Sequence, residues 1–329
     1  LLIRRSLVRA QVEEPDKAPQ QMLRGFFFVR AYAVCWSFSG SFLMESFAMQ
    51  APDFDFCYIH VLSIAGSDSG GGAGIQADLK TCAALGVYGM TAITAITAQN
   101  TRGVTAIHSV PPEVIAAQID AVATDIGVEA VKIGMLHAPE VAETVAAALE
   151  RHAFGQVVLD PVMVATSGSV LMENSTVDVL VKRLFPLASI ITPNLDEASL
   201  LLGRKLDTVD AMREAARELQ QRGARAVLLK GGHLPGERVA DVLLLEDGEE
   251  LVMDGARIAT PNTHGTGCTL SSAIASYLAL GEELPDAVRM AREFVRKALE
   301  AGANVRTGTV GNGPLNHGFA PRVTRMDRL

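Results

Sequence analysis

From about Tyr58 onward, short apolar runs alternate with stretches in which apolar residues return every third or fourth position. Tyr58–Ala65, Gly89–Ala98, Ala130–Met135, Gln156–Met163, Ser189–Thr192 and Ala226–Lys230 read as strands, and the third, fourth and fifth are apolar enough to be covered on both faces. Ala73–Leu85, Glu113–Thr124, Glu140–His152 and Asp207–Arg222 read as helices, the first with a stripe of Ile75, Leu79, Cys82 and Leu85. Such alternation predicts a mostly parallel sheet covered by helices and joined by right-handed crossovers. One exception is Val239–Leu245 followed by Glu249–Ile258, which predicts an antiparallel hairpin closed at Asp247-Gly248. After it, Gly265 and Gly267 make a turn that feeds a helix in which Leu270, Ile274 and Leu278 recur every fourth residue. No internal repeat interrupts this order.

Composition narrows the class. The 329 residues are 49% hydrophobic, 20% charged and 5% aromatic, a globular make-up with core enough for one large or two small domains. A net charge of −8 without any Lys/Arg block argues against nucleic acid or an anionic membrane as main partner, so an anion site would have to be local. The four cysteines are scattered with no CxxC pair, which points away from a zinc site or a disulfide framework and towards a reducing, cytoplasmic setting. Residues 1–58 do not share the alternation. Their apolar run from Phe26 to Phe38 is broken by Arg30 and falls short of the roughly 20 residues that a membrane span needs. We read this segment as upstream sequence outside the functional domain, with a start at Met44 or Met49, and residues 318–329 as a frayed tail.

The Thr263–Gly281 stretch carries the strongest chemical signal. A glycine turn at a helix N-terminus presents backbone amides without intrahelical partners at the positive end of the helix dipole, and suits a phosphate in transfer. Cys268 falls in the first turn, where the dipole is expected to favour the thiolate. Gly-Thr-Gly before a helix is also a common chain turn, and a lone cysteine is commonly a small buried apolar residue. The loop Gly66–Gly74, with five glycines, directly follows the first strand; it is neither GxxxxGK[ST] nor GxGxxG. Gln99 ends the second strand, where its amide could meet a heterocycle edge, and Asp78 on the helix after the glycine loop could accept from an exocyclic amine. Asp160-Pro161, Asn194-Leu195-Asp196-Glu197 and Lys230-Gly231-Gly232 end three later strands, placing oxygen ligands for Mg²⁺ where a nucleotide would be wanted. Asn194 with Glu197 three residues on is equally an ordinary helix N-cap.

AGSDSGGGAGIQADLKT, AQNTRGV, KIGML, DPVM, TPNLDEA, LKGGH and NTHGTGCT occur in that order between Ala65 and Thr269. Together they resemble the hydroxymethylpyrimidine/phosphomethylpyrimidine kinases of thiamine biosynthesis, within the ribokinase-like superfamily, over residues 59–317. The resemblance implies an α/β fold: a three-layer α/β/α sandwich with a central mostly parallel sheet, assembled as a homodimer. It implies ATP- and Mg²⁺-dependent phosphorylation of 4-amino-5-hydroxymethyl-2-methylpyrimidine, first to its monophosphate and then to its diphosphate. Carried over by motif, Gly66, Asp78, Gln99, Met135 and Val162 would line the pyrimidine pocket; Asn194, Lys230, Gly232 and Thr263 would serve ATP; Asp160 and Glu197 would serve the metal. Gly265, Thr266, Gly267 and Cys268 would form the anion hole, with Cys268 either taking the hydroxyl proton or orienting the hydroxymethyl group. A pyridoxal kinase of the same fold would share the GTGC turn and differ in its pocket. A non-catalytic binding protein would not need Asn194, Glu197 and Cys268, a sugar kinase would carry aspartate at position 268, and a nicotinamide oxidoreductase would need the dinucleotide fingerprint that is missing.

Overall fold

The computed structural model describes residues 55–163 and 171–328. In chain order the elements are β1 (Phe56–Tyr58), β2 (His60–Asp68), α1 (Gly74–Leu85), β3 (Tyr88–Asn100), β4 (Gly103–Ser109), α2 (Pro112–Asp125), β5 (Ala130–Ile133), α3 (Pro139–His152) and β6 (Val157–Leu159). There follow α4 (Asn174–Val179), β7 (Ile190–Ile191), α5 (Leu195–Leu202), α6 (Val209–Gln221), β8 (Val227–Leu229), β9 (Arg238–Leu244), β10 (Glu250–Ala256), α7 (Thr266–Ala279), α8 (Leu284–Gly302) and β11 (Met326–Arg328). Nine strands form one sheet in the order β10-β9-β8-β7-β6-β5-β2-β3-β4. Neighbours from β8 to β3 run parallel, while β4, β9 and β10 pair antiparallel at the two edges.

The central strands alternate between two cores. Leu62, Ile64, Val131, Ile133, Val157, Leu159 and Ile191 face one packed by α2, α3, α5 and α6; Val61, Ala130, Val158, Ile190 and Leu228 face the other, packed by α1, α7 and α8. This explains the unbroken apolar runs, because period-2 side chains bury on both faces when helices cover both. The chain winds from β2 to β3 on one side, then crosses to β5 and onward to β8 on the other, so the order reverses at β2 and β5. Ligands of such sheets gather in the crevice beyond the strand ends at that reversal.

The hairpin closes as expected, with Gly248 at φ 89° and β9 paired to β10 from Arg238–Ala256 to Leu244–Glu250. Four features differ from the sequence reading. Leu79 of the α1 stripe is exposed, and Asp78 takes the buried face instead. The first strand is interrupted at Ile59, so Phe56–Tyr58 forms β1 and pairs antiparallel with β11; the tail read as frayed is held by this ribbon and by Arg322 and Arg325 amides donating to Ala84 and Gly86 carbonyls. β4 and α8 went unread. The edge strand β4 has no fully buried residue and so lacks a core-facing alternation, whereas α8 is strongly amphipathic, burying Ala287, Val288, Ala291, Phe294 and Ala298, and its period was there to be read. The 1–58 segment lies outside the described residues except for 55–58.

Candidate active site

Gly265 caps α7 in the left-handed conformation at φ 85°, and the first-turn residues Thr266, Gly267 and Cys268 follow it. The Thr266 amide donates to Thr263 O at 3.3 Å, which leaves the Gly267 and Cys268 amides as the first-turn donors with no acceptor one turn back. Of the four residues of the turn, two thus keep amides available to an acceptor.

Beneath this turn lie charges supplied by three strand ends. Asp160, just after β6, is buried; its Oδ1 accepts from Lys230 Nζ at 2.8 Å and from Thr192 Oγ1 at 3.0 Å. A Cβ built at Gly267 would stand 3.4 Å from both Asp160 Oδ2 and Lys230 Nζ, so the pair packs closely against the Gly267 Cα. Burial acts to lower the Lys230 pKa, but Asp160 and Glu197 more than offset it and hold the ammonium above its ordinary range. Asn194 and Glu197 form the capping box of α5: the Glu197 amide donates to Asn194 Oδ1 at 2.9 Å and the Asn194 amide to Glu197 Oε2 at 2.7 Å. Burial pushes the Glu197 carboxyl up to about 7, Lys230 opposes this, and Asp160 adds to it. The Gly232 carbonyl accepts from Arg257 Nη1 at 2.8 Å, and open space surrounds its Cα.

The glycine loop is tied together by Asp68, which the sequence reading passed over. Its carboxylate accepts from the amides of Gly70 (2.7 Å), Gly72 (3.0 Å) and Ala73 (2.8 Å) and lies 3.0 Å from His264 Nε2. Burial acts to raise its pKa, yet His264 and these amides hold it below the usual carboxylate value. An aspartate followed by glycines is a backbone-binding turn former, which is the signal that could have found it. The Gln99 amide lies 3.4 Å from His264 Nε2 and accepts from Thr97 Oγ1 at 3.1 Å. Met135 and Val162 join one apolar cluster with Ala95 and Leu171, and a Cβ at Gly66 would stand 2.5 Å from Met135 Cε. Gly66, Met135 and Val162 thus come together at the ends of β2, β5 and β6.

Two expectations need correction. Asp78 is fully buried: it accepts from Lys132 Nζ at 2.9 and 2.8 Å, Ser63 Oγ at 2.6 Å and Ser272 Oγ at 2.6 Å. Its carboxylate serves internal partners and offers no free face to a substrate amine. Cys268 is not poised as a thiolate, because burial pushes its thiol up to about 11, outweighing Lys132 and the Gly74 amide, which act in the opposite direction. Lys132 is fully buried within β5, and a lysine inside an apolar strand is itself a sign of a buried partner. A cavity of about 230 Å³ lined by Pro261, Asn262 and residues 303–311 adjoins Thr263 but contains none of the site residues; Asn262 there is committed to the carbonyls of Gly302 and Val305, each at 2.7 Å.

Residues 68–316 match the sequence pattern of the phosphomethylpyrimidine kinase family. A hydroxymethylpyrimidine/phosphomethylpyrimidine kinase of Rhizobium meliloti is 52% identical over 259 residues, covering 78% of this chain and 96% of that protein. A thiamine biosynthesis bifunctional protein of Geobacter sulfurreducens is 49% identical over 273 residues, and the chain spans only 53% of its length. Among solved structures, an ADP complex of Bacillus subtilis pyridoxal kinase superposes with a TM-score of 0.73 at 39% identity, covering 79% of this chain and 97% of that one. With its ordered motifs, its α/β sheet and the glycine turn above a buried Lys–Asp pair, the chain belongs to the phosphomethylpyrimidine kinase family.

Proposed function

We propose that this chain transfers phosphate from ATP to the hydroxymethyl group of 4-amino-5-hydroxymethyl-2-methylpyrimidine, and then a second phosphate to the product, within thiamine diphosphate biosynthesis. The observation that carries this reading is a helix turn in which the Gly267 and Cys268 amides have no backbone acceptor and the Gly267 Cα packs closely against the Lys230–Asp160 pair. Phosphoryl transfer through a loose transition state gains most from positioning and charge stabilisation, which this arrangement supplies. Gly66, Met135 and Val162 form the apolar wall for a small ring, and the Gln99 amide supplies its polar edge.

The protonated thiol of Cys268 orients the hydroxymethyl oxygen by hydrogen bonding and leaves the proton to depart with the phosphate ester. The second acceptor is a phosphate oxygen that carries no proton at neutral pH. A fixed base would therefore serve only one of the two steps, and a weakly acidic group suffices for both. Thr263, Asn194 and Gly232 lie towards the nucleotide. Among the described residues there is no group of three or more side chains able to hold a metal ion. Magnesium fits with fewer protein ligands: Asp160 Oδ2 receives only a 3.5 Å contact from Ser271 Oγ, leaving a hard oxygen beside the turn. Asp160 and Glu197 would hold the ion together with ATP oxygens, and it would offset the charge of the transferring phosphate.

Residues 59–317 carry this activity in a cytoplasmic homodimer, without nucleic acid or membrane as partner; no helix among the described residues is long and apolar enough to cross a membrane. ATP consumption with hydroxymethylpyrimidine, its monophosphate, pyridoxal and ribose tests the reading. Turnover of both pyrimidine forms is the expected result. Turnover of pyridoxal alone would favour the second reading, vitamin B6 salvage, which the likeness to the Bacillus pyridoxal kinase motivates. Absence of turnover with any of them would overturn both.

A further inference from the structure

The glycine loop anchors Gln99 at its backbone: the Gln99 main-chain amide donates to Ser69 Oγ at 2.8 Å, and Ser69 Oγ lies 2.7 Å from the Gln99 carbonyl as its donor. What remains to be fixed is the polarity of the side-chain amide, whose two ends are alike in shape and opposite in hydrogen bonding. One end faces Thr97 Oγ1 at 3.1 Å and the other faces His264 Nε2 at 3.4 Å. The protons on these partners decide which end is oxygen.

The Thr97 hydroxyl has a single proton, and the Ser67 carbonyl oxygen 2.8 Å away can only accept it. Thr97 Oγ1 therefore turns lone pairs towards Gln99 and calls for a donor there. At the opposite end, His264 Nε2 lies 3.0 Å from Asp68 Oδ2. That carboxylate already gathers the amides of Gly70, Gly72 and Ala73 and is held ionised, so it can only accept, and His264 Nε2 carries a proton. A ring N–H calls for the amide oxygen. Both ends give one answer: Gln99 Oε1 belongs towards His264, and the Thr97 contact runs from the amide nitrogen to the hydroxyl rather than the reverse.

His264 is well held for this task. Its side chain is 13% exposed, its main-chain amide donates to Gly313 O at 3.1 Å, and its Cδ2 would stand 2.5 Å from a Cβ on Gly72. The Gln99 amide keeps one N–H and one oxygen lone pair for a ligand. An aminopyrimidine edge pairs with them in one sense only, with its amine to the oxygen on the His264 side and its ring nitrogen to the N–H on the Thr97 side. In 4-amino-5-hydroxymethyl-2-methylpyrimidine the reacting hydroxymethyl group neighbours the amine on the side away from that nitrogen. The amide polarity thus carries the hydroxymethyl group towards the turn that begins at Gly265, and the opposite polarity would carry it away.

We propose that His264, held by Asp68, is a positioning residue that fixes the polarity of the Gln99 amide and thereby selects an aminopyrimidine with its hydroxymethyl group towards the Gly265–Cys268 turn. This deepens the kinase reading and rests on its assignment of Gln99 to the polar edge of the ring.

The test compares the dissociation constants of 4-amino-5-hydroxymethyl-2-methylpyrimidine and of 5-hydroxymethyl-2-methylpyrimidine, which lacks the amine, by calorimetry and so without turnover. The unmodified protein is expected to bind the aminopyrimidine roughly 30-fold more tightly, the scale of one lost hydrogen bond with its partner left unpaired. His264→Phe keeps a ring without the N–H and should reduce the ratio to about threefold, whereas His264→Gln, which restores a donor, should bring most of it back. Gln99→Ala should collapse the ratio by itself, and adding His264→Phe to it should change the ratio no further. If Gln99→Ala collapses the ratio while His264→Phe weakens both rings alike, the proposal is overturned and the Gln99 assignment stands. If Gln99→Ala leaves the ratio unchanged, or neither ring binds, the assignment of Gln99 falls and takes the proposal with it. Should His264→Phe fail to melt in one transition, His264→Met decides by the same ratio.

Discussion

Gly265 and Gly72 meet backbone to backbone: a Cβ on Gly265 would lie far inside van der Waals contact of the Gly72 carbonyl oxygen. The glycine loop after β2 and the glycine turn before α7 thus share one surface, and His264 reinforces it by lying against Gly72 and bonding Asp68. Glycine is required here twice over, once for the close approach and once for φ 85°.

Gly265→Ala should therefore abolish turnover and lower the melting temperature. Gly232→Ala, at a position with open space around it, should leave the melting temperature within a degree or two of the unmodified protein, an effect of about 0.5 kcal/mol or less. Thermal melts of the two variants side by side check this, and equal losses would contradict the contact argument.

Asp78→Ala leaves the Lys132 ammonium buried without a counter-charge and should cost about 3–5 kcal/mol of stability. Urea denaturation measures it. If Asp78 instead contacted the substrate amine, the variant would keep its stability and show a raised KM for the aminopyrimidine.

Lys230→Met removes the cation packed against Gly267 and should lower kcat by about 10²-fold or more, the scale of losing one stabilising group for developing charge. Steady-state kinetics at saturating ATP separates this from weakened nucleotide binding. A change in KM for ATP alone would place Lys230 outside the transfer step.

With its thiol pushed up to about 11, Cys268 is protonated at neutral pH. Cys268→Ser should keep kcat within about tenfold for the first phosphorylation and closer still for the second, whereas loss of a true general base would cost about 10²–10⁴-fold. Single-turnover rates for each step check this. Retained turnover in Cys268→Ala, with no gain in Cys268→Asp, would exclude the base role altogether.

His317 ties the same turn to pH. Thr269 Oγ1 donates to Gly265 O at 2.8 Å, so the ring nitrogen 2.9 Å away donates to the hydroxyl. Burial, with Lys80 adding to it, lowers the His317 pKa from 6.5 to about 4. Between those values the unfolded chain binds the extra proton, so this stability is complete above about pH 6.5 and is lost as pH falls towards about 4, on the order of 3 kcal/mol in all. Melting curves across that window should show a steeper acid loss for the unmodified protein than for His317→Gln; parallel curves would refute it.

The sequence alone determined the order of the central strands and most of their covering helices, the edge hairpin, the α7 helix through Leu270, Ile274 and Leu278, the Asn194–Glu197 cap and the ordered motifs that identify the family, while β4 and α8 went unread. These are local: periodicity and turn chemistry are written within a few neighbouring residues. Only the tertiary structure decided that Asp78 turns inward to Lys132, 54 residues away, and to Ser272, 194 residues away, and that burial protonates the thiol that a helix dipole alone would ionise. Charge state follows from desolvation and from partners brought by distant strands, and no local pattern of apolar and polar positions records either.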